Sequence, residues 1–110
     1  MSYDEGVARR LREVFGDDPA VVEKAMFGGL AFLVGGHMAV AASSQGGLLL
    51  RVDPAQTPTL TAVPGVERFA MGGRAMDGWL HVPLDVVASD EALREWVSHG
   101  VTYARALPPK

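Results

Sequence analysis

Cysteine is absent from this 110-residue chain, which excludes disulfide scaffolds and thiolate metal sites and leaves nothing that points to an oxidising compartment. An excess of positive charge is lacking as well. Ten basic and thirteen acidic residues give a formal net charge of -3, with a pI near 5.5. No overall positive field is available to attract phosphate backbones, the term that dominates nucleic-acid affinity, so strong autonomous nucleic-acid binding is not expected. Long hydrophobic runs are missing too. The most apolar stretch, "AMFGGLAFLVGGHMAVAASSQGGLLLRVD", is broken by Gly-Gly pairs and His37, whereas a spanning helix needs about 20 predominantly apolar residues. The start "MSYDEGVARRLREVF" carries acidic residues where a signal peptide has its basic region. Together these absences predict a cytoplasmic protein with no membrane segment.

What is present suffices for a core. A content of 48% hydrophobic and 21% charged residues is that of a globular chain. The length fits one domain over residues 1–110, since single cores take roughly 50 to 200 residues. Ser2 and Glu5 stand at capping-box spacing, and Val7, Leu11, Val14 and Phe15 recur at helical spacing before Gly16, a natural stop. Near the other end Ser89 can cap "DEALREWVSHGVTYARAL", whose stripe of Leu93, Trp96, Val97, Val101, Ala104 and Leu107 is apolar and is ended by Pro108.

Between these helices the period changes to two. "AMFGGLAFLV", "HMAVAA" and "LLLRV" read as three strands joined at Gly35-Gly36 and "SSQGG". Thr57 and Pro58 resemble an N-cap and first helical position, predicting a short helix to about Val63. "GVERFAM" and "GWLHV" supply two more strands around "GGRAMDG", and Pro83 can start a helical turn. The expected class is α+β: one two-layer domain with an antiparallel sheet of about five strands, helices at both termini and a short central helix, in the order α-β-β-β-α-β-β-α.

Alternation divides the sheet into two faces. Leu48, Leu50 and Val52 share one face with Leu80 and Val82 if the helices cover the aliphatic side; the other face then presents Leu49, Arg51, Trp79 and His81 as the candidate interaction surface. The bland reading of those four is a mixed face covered by a loop or a crossed helix.

Chemical motifs are mostly absent. No lysine follows any Gly-Gly pair in the manner of a P-loop, and the glycines lie between antiparallel strands rather than in a dinucleotide fingerprint. His37, His81 and His99 have no metal-ligand spacing, and Ser43, Ser44 and Ser98 lack a nucleophile signature. No acid–base pair, cofactor site or metal site can be named, and an enzyme is the less favoured class. Arg9, Arg10 and Arg12 read as a solvated helix face rather than a nucleic-acid footprint. Met26 and Met38 read as core filling, and Met71 and Met76 as an exposed pair around a glycine-rich loop.

The combination "MFGGLAFLVGGHMAV", "GGLLLRVD", "RFAMGGRAMDGWLHVP" and "EALREWVSHGVTYARAL" resembles the amino-terminal domain of the TfoX/Sxy family over nearly the whole chain. The most specific element is Met26-Phe27-Gly28-Gly29, whose glycines suit a close backbone approach or a bulge. The resemblance implies a compact α+β fold with an antiparallel sheet. Its best-known members regulate natural competence and carry a second, helical domain after this one, where the present sequence stops at Pro108-Pro109-Lys110; no catalytic residue follows from it. Two functions therefore stand side by side. One is a non-catalytic regulatory module that binds protein through a sheet face or edge, as part of a homodimer or with another protein. The other is a small-ligand binder or enzyme, with an anion on Arg51 and an aromatic group stacked on Trp79.

Overall fold

The computed structural model describes residues 4–26, 29–44, 46–71 and 73–108, with only the backbone of Met71. Helix α1 (Glu5–Phe15) is followed by strands β1 (Val21–Met26), β2 (Gly29–Val34), β3 (His37–Ala42) and β4 (Leu48–Arg51). A 3-10 turn (Pro54–Gln56) leads into α2 (Thr57–Thr61). Strands β5 (Glu67–Met71) and β6 (Arg74–Val82) and the long helix α3 (Asp90–Ala106) complete the chain.

The α+β class and antiparallel sheet agree with the sequence reading, with one correction. The sheet has six strands, in the order β1-β2-β3-β4-β6-β5. The segment expected as one strand over residues 25–34 is two, and the first begins earlier, at Val21. Glu23 and Lys24 conceal β1 because an edge strand exposed over most of its length shows no clean apolar alternation. Four strands thus precede α2.

Local chemistry accounts for the element ends. Ser2, Phe27, Gly28, Gln45 and the last two residues lie outside the described residues, so the proposed capping box cannot be placed. Asp4 takes the N-cap of α1, its carboxylate accepting from the Gly6 and Val7 amides at 2.8 and 3.4 Å. Gly16 closes that helix at φ 60°, and Ser89 caps α3 by accepting from the Ala92 amide at 3.0 Å. The Gly35-Gly36 turn has φ values of 61° and 84°, the left-handed pair of a tight hairpin. Thr57 is not an N-cap. Its buried hydroxyl accepts from the Gly78 amide at 2.8 Å, tying α2 to β6, while Asp53 caps the preceding 3-10 turn.

All the helices cover the same side of the sheet. Val7 and Leu11 of α1, Leu60 of α2, and Leu93, Trp96 and Val97 of α3 form one core with Phe32, Leu48, Leu50, Leu80 and Val82. Residue Ala39 is extra in β3, because Phe32 pairs with Val40 and Leu33 with Met38. Helix α3 lies tightly over that bulge. A Cβ on Gly100 would collide with the Ala39 carbonyl and come within 2.9 Å of Leu50.

Candidate functional site

The opposite face of the sheet has a smaller apolar cluster of its own. Ala31, Met38, Ala41 and Leu49 are buried there, with Met26, Leu33, Phe69 and Trp79 half-buried around them, and every one of these residues belongs to a strand. Large side chains close over small ones, which is how alanines on a face without helices become inaccessible. Leu49 therefore corrects the sequence reading. At 2% exposure it is a core residue of this second cluster and offers no surface to a partner.

The other three named residues are half-buried. Arg51 pairs across the ladder with Trp79, and Leu49 with His81, so the strand register does align the four residues on one face. The Arg51 guanidinium lies 5.1 Å from the Trp79 ring centre and 5.5 Å from that of Tyr103 on α3. Two aromatic faces thus hold the cation, and no described carboxylate pairs with it. His81 is occupied differently: its Nε2 donates to the Gly46 carbonyl at 2.8 Å, bracing the β3–β4 connection against β6.

Tyr103 and Phe69 are the site residues that sequence reasoning missed. Tyr103 flanks the apolar stripe of α3, but the strand end it overhangs depends on where Gly100 seats the helix. Phe69 lies on an edge strand with a register irregularity between Arg68 and Ala70, which obscures alternation.

The Met26-Phe27-Gly28-Gly29 element is described at its two ends. Met26 packs against the second cluster. A Cβ on Gly29 would strike the Ala42 carbonyl, so this position serves close approach of two strands. Met38 is buried, Met76 is half-buried rather than exposed, and the Met71 side chain lies outside the described residues.

Two of the three α1 arginines have internal partners, and Arg9 is exposed. Arg10 donates to the Val87 carbonyl at 2.7 Å, and Arg12 holds Glu23 with two bonds of 2.8 and 2.9 Å. Among the described residues no group of three histidine or carboxylate side chains converges as a metal site, and no helix is long and apolar enough to cross a membrane.

A family model, the TfoX N-terminal domain, matches residues 13–104, a span that includes the β2–β3 close approach at Gly29 and the Arg51–Trp79 ladder pair. The chain belongs to the TfoX N-terminal domain family. No curated protein and no solved structure matches it. Within this TfoX N-terminal domain, the matched span runs from the end of α1 almost to the end of α3 and so includes both faces of the sheet.

Proposed function

We propose that this TfoX N-terminal domain protein is a non-catalytic regulatory module that acts by binding protein through the helix-free face of its sheet. The observation that carries the reading is the second apolar cluster, where Leu33, Phe69 and Trp79 remain half-exposed on a face to which no described helix contributes. Half-exposed aromatic and aliphatic side chains beside an arginine are the composition of an interface centre. Family membership supports a regulatory, competence-related role.

The ligand-binding reading is less well supported. The Trp79 ring that would stack an aromatic ligand already carries Arg51, and the His81 Nε2 is engaged with the Gly46 carbonyl.

Affinity capture from the native cell, with the immobilised chain beside its Phe69→Ser variant, tests the proposal. Phe69 is half-buried on an edge strand, so the variant should melt within a few degrees of the parent while losing the captured protein. Equal capture by the two folded proteins would remove this face from the function.

A further inference from the structure

The strand registers align one residue from each of the six strands in a row across the helix-free face. Lys24 pairs with Ala31, Ala31 with Ala41, Ala41 with Leu49, Leu49 with His81, and His81 with Glu67. The row starts with an exposed cation on one edge strand, β1, and ends with an exposed anion on the other, β5. The next residue on each edge has an internal partner. Glu23 binds Arg12, which lowers the Glu23 pKa below its ordinary value, and Arg68 binds Asp77 at 2.7 Å. Lys24 and Glu67 have no ion-pair partner among the described residues.

We infer that a second copy of this chain packs on the helix-free face, about a twofold axis running along the strands. A half-turn about that axis exchanges the two edges of the sheet and keeps each residue's level along the strand. Because Lys24 and Glu67 belong to one level, Lys24 then meets the partner's Glu67, and the same contact recurs at the other edge. A twofold axis across the strands would instead bring like charges together at both edges. Between the charged edges, the half-buried Leu33 of β2 and Trp79 of β6 supply apolar surface, which Phe69 extends onto β5 beside Glu67, so the face has the arrangement of an isologous interface with charges at its rim.

Edge-to-edge pairing of two β1 strands is the competing geometry, and its charges oppose it. Antiparallel pairing about a dyad normal to the sheet keeps each side chain on its own face. The two central registers therefore set Glu23 against the partner's Glu23, or Lys24 against the partner's Lys24.

This inference rests on the interaction reading above, and its test separates the two. Sedimentation velocity over a concentration series should show the wild-type chain moving to a species of twice the 11.7 kDa chain mass. Lys24→Glu alone and Glu67→Lys alone should each weaken the dimer roughly tenfold to a hundredfold, because either change sets like charges at both contacts. An equimolar mixture of the two variants should recover the wild-type affinity, since one contact then joins the two reversed charges and the other joins the two native ones. Recovery on mixing also requires that both variants are folded. A chain that stays monomeric at every concentration overturns the inference, as does a dimer that ignores the single reversals or a mixture that fails to recover. If the chain is monomeric but Phe69→Ser still abolishes capture, self-association falls and the interaction reading stands; if a charge-paired dimer forms and Phe69→Ser captures as well as wild type, only the capture reading falls.

Discussion

At the scale of single residues, Arg51 is held by ring faces rather than by a counter-ion. The pair of contacts with Trp79 and Tyr103 spans the boundary between the sheet and α3, because Tyr103 is the helix residue that overhangs the end of β4. A cation over an aromatic face contributes about 0.5 to 1 kcal/mol at exposed sites and about 2 kcal/mol when desolvated, and this half-buried guanidinium lies between those limits. A double-mutant cycle with Arg51→Gln and Tyr103→Leu, followed by chemical denaturation, should therefore give a coupling of about 0.5 to 1 kcal/mol. Additive single effects would mean that the two side chains do not interact in solution.

At the scale of elements, the position of α3 is set by the absence of a side chain. Replacing a mid-helix glycine by alanine ordinarily gains about 1 kcal/mol of helix stability. Here the new methyl would meet the Ala39 carbonyl, which is backbone and held in the β3 bulge. Overpacking of this kind costs about 1 to 3 kcal/mol and offsets the propensity gain. Gly100→Ala should accordingly lower the melting temperature, whereas an exposed helical glycine would raise it. A raised midpoint would show that α3 can slide off the bulge without loss. The same packing brings Tyr103 to Arg51, so the Gly100→Ala variant should also lose the Arg51–Tyr103 coupling.

At the scale of the whole molecule, the helix-side core unites all three helices with β2, β3, β4 and β6. Trp96 lies in that core at 9% exposure. Truncating a large buried aromatic costs about 3 to 5 kcal/mol, a substantial part of the roughly 5 to 15 kcal/mol available to an ordinary domain. Trp96→Ala should lower the unfolding free energy by that amount, and the denaturation midpoint with it, in one cooperative transition. A midpoint within error of the parent would contradict the assignment of this core. The second cluster is smaller and made only of strand residues, so changes at its rim, such as Phe69→Ser, should cost less.

Much of this was legible in the sequence because local patterns carry it. Helical spacing marked α1 and α3, Gly35-Gly36 and Ser89 marked a turn and a cap, and alternation separated Leu48, Leu50, Leu80 and Val82 from Arg51, Trp79 and His81. Edge strand β1 was illegible in part, since Glu23 and Lys24 face opposite sides and neither is buried. The internal commitments of the site were not legible at all. Leu49 closes into a second core, His81 reaches Gly46, Arg51 lies against Tyr103, and Lys24 and Glu67 end one row six strands wide. A sequence specifies its own periodicities because they arise between neighbours a few residues apart. Register, bulges and the seat of a helix on a sheet depend on contacts between residues far apart in the chain, and only the folded structure decides which of them meet.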